Sequence, residues 1–397
     1  MDTIKIVIAP DSFKGSVSAL EAAVAIEKGI KNYLPYAETV LVPVADGGEG
    51  TMDSLVEATT GKKVSVKVKG PIEKDVLAEY GMLGDGKTCI IEMASASGLN
   101  LVPANLRNPL KATTYGTGQL IKEALNNGCR HFILGIGGSA TNDGGIGMLQ
   151  ALGMKLLDIN GNEICLGAEE IDKIATIDDS TFDKRIAESS FLLASDVQNP
   201  LIGLNGASYV FGPQKGATPK MVEELDRKLR HFAEKVEELT GIRLHDRPGA
   251  GAAGGLGGAF LAFFPVNMRR GIDIVIEYTN FAHALTGADL VITGEGQIDF
   301  QTASGKTPMG IAQEAQKWGI PTIVLAGSIG KGIDELYQYG IRSIHSIVNA
   351  PMDLDEAFEK ATFLLEQAAE QVLRTFSIHN SKFVKQGGDV NENKTIY

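Results

Sequence analysis

Apolar positions in this chain gather into short runs, and four of the runs end in a carboxylate set among small residues. They are Ile6-Val-Ile-Ala-Pro-Asp11, Val42-Pro-Val-Ala-Asp46, Phe191-Leu-Leu-Ala-Ser-Asp196 and Leu290-Val-Ile-Thr-Gly-Glu295. Runs of this length with turn residues behind them predict buried strands. The first 60 or so residues read as strand, helix, strand, helix. Ser18-Ala-Leu-Glu21 is a capping-box pattern that opens a helix to about Asn32. A strand over about Thr39 to Val44 and a helix over Gly48 to Thr59 follow. The pattern then changes to strict alternation in Lys63-Val-Ser-Val-Lys-Val-Lys69, as in a half-exposed strand. Val76 to Leu83 and Thr88 to Met93 flank Gly84-Asp-Gly86, a hairpin signal.

Helix and strand alternate again beyond Gly118, with Gln119 to Asn127 helical and His131 to Leu134 a strand before a glycine-rich turn. Thr218-Pro219 caps and opens a long amphipathic helix. Its stripe is Met221, Leu225, Leu229, Phe232, Val236 and Leu239, with Gly241 at the stop. Ala288 to Ile292, Pro321 to Ala326 and Ser343 to Val348 predict further buried strands, and Asp353 to Phe376 a last helix. The polar, aperiodic residues 378–397 read as a flexible tail. The expected class is α/β in two domains. Residues 1–65 with 282–377 would form a Rossmann-like parallel-sheet domain, and 66–281 an inserted mixed α/β domain. The active site is expected in the cleft between them, because open α/β sheets bind ligands beyond the carboxyl ends of their strands.

Composition narrows the chemistry. Hydrophobic residues are 44% of 397, enough for sizeable cores, and 49 acids against 37 basic residues give a charge of −12. That balance argues against nucleic acid or an anionic membrane as partner. Any anionic substrate must be held by locally placed cations and amides. No apolar stretch reaches about 18 residues, so no spanning helix is expected. Three cysteines without metal spacing, Cys89, Cys129 and Cys165, fit a reducing compartment. A cytoplasmic protein is the expectation.

Two nucleotide-like motifs fail on context. Gly81-Met-Leu-Gly-Asp-Gly86-Lys87-Thr88 matches a P-loop literally, yet a strand pattern rather than a helix follows it. Gly249-Ala-Gly251-Ala-Ala-Gly254 matches a dinucleotide fingerprint, but the polar residues 243–248 before it are not a buried strand. Gly135 to Gly145 has the better setting, with an apolar strand before it and a helix-capable stretch after. Gly137, Gly138, Ser139, Thr141 and Asn142 would bind phosphate there. Asp11-Ser12-Phe13-Lys14, Asp46, Asp196, Lys215, Glu295-Gly-Gln-Ile-Asp299 and Lys306 add acids and cations at strand ends. Acids for a metal beside donors for an anion point to Mg²⁺-assisted phosphoryl transfer.

At these residues the chain resembles the type-1 glycerate kinase family. The matching blocks include Ile6-Val-Ile-Ala-Pro-Asp-Ser-Phe-Lys-Gly15, Pro43-Val-Ala-Asp-Gly-Gly-Glu-Gly-Thr51, Gly135 to Gly145, Phe211-Gly-Pro-Gln-Lys-Gly-Ala217 and Ile292-Thr-Gly-Glu-Gly296. The resemblance spans roughly residues 4 to 375. It implies ATP- and Mg²⁺-dependent phosphorylation of D-glycerate, with 2-phosphoglycerate the usual product. Within that expectation, Asp11, Ser12 and Lys14 bind substrate, Lys14 taking its carboxylate. Asp46 or Asp196 accepts the hydroxyl proton. The loop from Gly137 to Asn142 holds the ATP phosphates, and Lys215 or Lys306 counters developing charge. Some of Asp143, Asp196, Glu295 and Asp299 hold the metal. A homodimer is a possible assembly. The rival readings are a kinase for another small hydroxy acid, an NAD-dependent hydroxy-acid dehydrogenase and a non-catalytic metabolite-binding module.

Overall fold

The structure is a computed structural model that describes residues 3–48, 50–72, 74–300, 302 and 306–377. Its strands, in chain order, are β1 Lys5–Ile8, β2 Glu38–Leu41, β3 Lys62–Lys69, β4 Asp75–Met82, β5 Thr88–Glu92, β6 His131–Gly135 and β7 Lys155–Leu157. There follow β8 Thr176–Asp178, β9 Ser190–Ala194, β10 Val266–Arg269, β11 Leu290–Ile298, β12 Thr322–Ile329 and β13 Ile341–Ser346. Two compact units divide the chain. One is built from residues up to Asp46 and from Ile272 onward, the other from Gly47–Gly271.

The first unit is a parallel sheet of order β13-β12-β11-β1-β2. The chain runs from β1 outward to β2 and later returns on the other side of β1 with β11. The β1/β11 pair is therefore the switch point where an open sheet leaves a crevice. Helix Ala19–Tyr33 starts at the expected capping box: Ser18 Oγ accepts from Glu21 N, and the Glu21 carboxylate accepts from Ser18 N at 2.8 Å. It packs against helix Ala361–Ser377 so closely that a Cβ on Gly29 would stand 2.1 Å from the Glu366 carbonyl oxygen. The expected last helix is two, Leu354–Glu359 and Ala361–Ser377. The expected tail, 378–397, lies outside the described residues.

The second unit holds a mixed sheet of order β10-β9-β6-β5-β4-β3, parallel from β10 to β5 and antiparallel from β5 to β3. Buried Phe132, Phe191 and Phe260 fill its core, with the first two rings stacked at 4.6 Å. Helix Pro219–Thr240 matches its pattern from the Thr218 cap to left-handed Gly241, which suits glycine. Leu225, Leu229, Phe232 and Val236 are buried, while Leu239 at the last turn is 41% exposed.

The expected domain boundaries move. A break after residue 65 would cut β3, which pairs with β4 along its whole length in the second unit. Residues from Ile272 belong to the first unit, where Ile272 Cγ1 lies 2.4 Å from the Cβ position of Gly310.

Candidate functional site

Past β1 the chain stays paired to β11: Ala9 N donates to Ile292 O and Asp11 N to Gly294 O, both at 2.8 Å. This delivers the Asp11 carboxylate to the switch point. It accepts from Ser12 N at 2.6 Å and from Thr307 Oγ1, also at 2.6 Å. Thr307 opens helix Thr307–Lys317, so one hydroxyl ties the strand-end acid to a helix start. Burial and the neighbouring Asp46 charge push Asp11 up to a pKa of about 6, against the two hydrogen bonds and Lys14.

Glu295 lies inside β11, where it is buried and accepts from Thr302 Oγ1 at 2.7 Å. Burial raises its pKa to about 7; Thr302 and Lys306 oppose the rise, and the charges of Asp11 and Asp46 add to it. Asp11, Asp46 and Glu295 line one cavity of about 660 Å³ together with Ser12, Lys14, Gln297 and Lys306. Three of the four acids expected at strand ends thus share one crevice. The fourth, Asp196, is exposed past β9 in the other unit's sheet. Asp299 is buried and turns back along its own loop, accepting from Gln297 Nε2 at 2.8 Å.

In the second unit, β6 ends at the glycine-rich loop. Gly137 and Gly138 are exposed, and Gly138 takes φ +73°. Lys215 is 2% exposed, and its Nζ donates to Ser139 Oγ at 2.7 Å and to Thr141 O at 2.6 Å. Burial pulls its pKa down to about 7, with the Asp143 charge working against the fall. Lys215 therefore ties the loop together from within and is not an open cation. Thr141 Oγ1 and Asn142 Oδ1 are buried and have no hydrogen-bond partner, whereas Asn142 Nδ2 donates to Ser208 Oγ.

Asp143 departs from its expected metal role. Its side chain is wholly buried and accepts from Thr114 N and Thr114 Oγ1 at 2.8 Å each, Gly145 N at 3.1 Å and Gly147 N at 3.4 Å. The amides that were to meet a phosphate at the helix start are capped internally by this carboxylate. Helix Ile146–Ala151 is also a short one. What the loop offers an anion is its exposed turn at Gly137 and Gly138, ahead of the helix.

The expected metal set is divided, with Asp143 and Asp196 in one unit and Glu295 and Asp299 in the other. Among the described residues no group of three or more His, Cys, Asp or Glu could hold a metal ion by itself. The P-loop look-alike is the β4–β5 hairpin turn, where Asp85 accepts from Lys87 N and Thr88 N. The dinucleotide look-alike follows irregular backbone. It packs under the glycine-rich loop, where a Cβ on Gly254 would stand 2.0 Å from Thr141 O. Sequence reasoning passed over Thr302, Thr307 and Thr114. Their signal is a hydroxyl beside a helix start, too common to single out.

These observations gather acids and lysines in one cavity, and comparison with known proteins gives the family. Residues 6–377 match the model of the glycerate kinase family. The chain belongs to the glycerate kinase family. The glycerate kinase of Bacillus subtilis (strain 168) is 50% identical over 381 residues, covering 96% of this chain and all of the relative. The glycerate 2-kinase of Escherichia coli (strain K12) is 48% identical, over 94% of this chain and 98% of the relative. A crystal structure of a chain assigned as glycerate kinase 2 from Salmonella typhimurium LT2 superposes with a TM-score of 0.86 at 47% identity, covering 94% and 98%. As a member of the glycerate kinase family the protein is an enzyme of the kinase class. Among the described residues no helix is long and apolar enough to cross a membrane.

Proposed function

We propose that this enzyme transfers the γ-phosphoryl group of ATP to D-glycerate, with Mg²⁺, to give 2-phosphoglycerate. The observation that carries the reading is the single cavity at the switch point in which Asp11, Asp46 and Glu295 meet Lys14 and Lys306. Burial raises the pKa of Asp11 and of Glu295, the Asp46 charge adds to both and the Asp11 charge adds to that of Glu295, so a cation entering the cavity relieves an existing strain of like charge. The donors are all hard oxygens, which suit Mg²⁺. Without a complete protein cage, the ion would arrive with the nucleotide and keep phosphate and water ligands.

Glu295 and Asp11 would contact the ion, which when bound would neutralise phosphate charge. Asp299 and Asp196 remain as further acids for that role. Lys14, exposed at the first strand end, binds the substrate carboxylate, with Ser12 beside it. Asp46 or Asp196 accepts the hydroxyl proton. Asp11 is organised by Ser12 and Thr307 and positions the substrate. Lys306, just before helix Thr307–Lys317, meets the transferred phosphoryl group. In the second unit, the exposed turn at Gly137 and Gly138 offers its amides to a phosphate, and Lys215 maintains its shape through Ser139 and Thr141. Positioning and electrostatic stabilisation of this sort carry most phosphoryl-transfer catalysis.

The Escherichia coli relative's name, glycerate 2-kinase, supports phosphorylation at the 2-position. Free cysteines at Cys89, Cys129 and Cys165 fit a cytoplasmic enzyme. The experiment is a coupled ADP-release assay with ATP, Mg²⁺ and D-glycerate, the product isomer being read by NMR. Turnover with other small hydroxy acids but not with D-glycerate would shift the substrate within the kinase reading.

A further inference from the structure

The second unit carries a guanidinium that the protein leaves unpaired. Arg107 follows the single turn Ala104–Leu106. Among the described residues its side chain makes no hydrogen bond and no ion pair, and its Nε is buried. The residue as a whole is half-buried, so the stem and Nε are enclosed while the end of the fork reaches solvent. The group is charged at any working pH, and a donor of this kind left unmet away from water costs stability. A surface arginine escapes that cost by swinging out. Arg107 is instead pressed by the turn after Lys215: a Cβ on Gly216 would stand 2.7 Å from Arg107 O and 2.9 Å from Arg107 Cβ.

The space that Arg107 borders is small, walled by Ile72, Leu99, Val102, Ala112 and Ala140. Its polar members are Arg107, Asn108 and Lys215, and no acid lines it. Lys215 is committed to Ser139 Oγ and Thr141 O. Asn108 gives its Oδ1 to Leu110 N at 3.1 Å, which leaves its NH₂ as a donor. This stretch is laced to the glycine-rich loop, since Leu99 N donates to Gly138 O at 2.8 Å and Ala140 N to Ser97 O at 2.9 Å. Donors without an acceptor therefore gather close to the exposed turn at Gly137 and Gly138.

We propose that Arg107, with the Asn108 amide, binds an oxyanion, a carboxylate or phosphate group. The planar fork can meet two oxygens of either group at once, and the bound anion supplies the acceptor that the protein withholds. The proposal takes from the functional reading only that both substrate and donor carry such groups, and the kinetics of the variants tell the two sources apart.

The test is calorimetric titration of the full-length protein with inorganic phosphate and with D-glycerate, beside steady-state kinetics, in Arg107→Met and Arg107→Lys. Methionine keeps an apolar stem and removes the charge, so Arg107→Met should melt within about 2 °C of the unaltered protein or above it. It should weaken one of the two anions, and raise KM for the reactant that carries the group, at least about tenfold. Arg107→Lys keeps the charge without the fork and should fall between. A raised KM for D-glycerate identifies its carboxylate as the oxyanion; a raised KM for ATP identifies a phosphate. Binding of neither anion by the unaltered protein, or unchanged affinity for both in Arg107→Met, would overturn the proposal. So would a melting temperature lower by more than about 5 °C in Arg107→Met, which would make the guanidinium structural. Absence of ATP-dependent glycerate phosphorylation by the unaltered protein would instead overturn the functional reading, and the anion titrations would still decide the site.

Discussion

Asp143→Ala separates a metal ligand from a structural acceptor. The Asp143 carboxylate takes four hydrogen bonds in a place closed to solvent, three of them between 2.8 and 3.1 Å and the fourth at 3.4 Å. A bond to a charged acceptor contributes roughly 1.5–3 kcal/mol, and each buried amide left without a partner costs about 1–3 kcal/mol. Against this stands the cost of burying the charge, which raises the residue's pKa. The net loss should be about 3–5 kcal/mol, in the range found when one member of a buried polar pair is removed. For a unit of this size that lowers the melting temperature by about 6–20 °C. Asp143→Asn keeps an oxygen for the Thr114 donors but turns an NH₂ toward Gly145 N, so about half of the loss is expected. The assay is calorimetric unfolding of both variants beside Mg²⁺ titrations of activity. A variant Asp143→Ala as stable as the unaltered protein, inactive and rescued by excess Mg²⁺, would refute the structural reading.

Glu295 holds its proton in the native state up to about pH 7 and loses it near 4.5 when unfolded. Stability should fall by about 3 kcal/mol from this group as pH rises through that window; in denaturant titrations at stepped pH Glu295→Gln removes that part of the slope and leaves the part below about pH 6 that Asp11 contributes. Lys215 acts in the opposite sense. Between about pH 7 and 10.5 the unfolded chain holds a proton that the buried amine has lost, so stability rises with pH there and Lys215→Met flattens the rise. The same variant frees Ser139 and Thr141 and should lower kcat more than it changes KM for D-glycerate. Ser18→Ala removes one half of a capping box and should cost about 1 kcal/mol in thermal unfolding, without effect on kinetics.

Legibility from sequence followed the range of the interaction. Local rules located the Ser18 cap, the β4–β5 turn and both ends of helix Pro219–Thr240, since each depends on residues within a turn of one another. Context dismissed both nucleotide look-alikes, because those motifs need a strand or a helix on the proper side. Long-range pairing escaped. Strict alternation showed β3 to be a strand, but only its register with β4 assigns it to the second unit. For the same reason four similar strand-end acids looked equivalent until the sheet order separated Asp196 from the other three. Asp143 resembled a ligand because its partner Thr114 lies 29 residues away. Lys215 resembled an open cation because burial is a property of the packed loop.

The most direct measurement is the rate of ADP formation from ATP, Mg²⁺ and D-glycerate by the unaltered enzyme, with the product examined by ³¹P NMR. The account predicts glycerate-dependent turnover that ceases on chelation of Mg²⁺, and phosphorus bound at the 2-position. Folded enzyme that makes no phosphoglycerate under these conditions would contradict it.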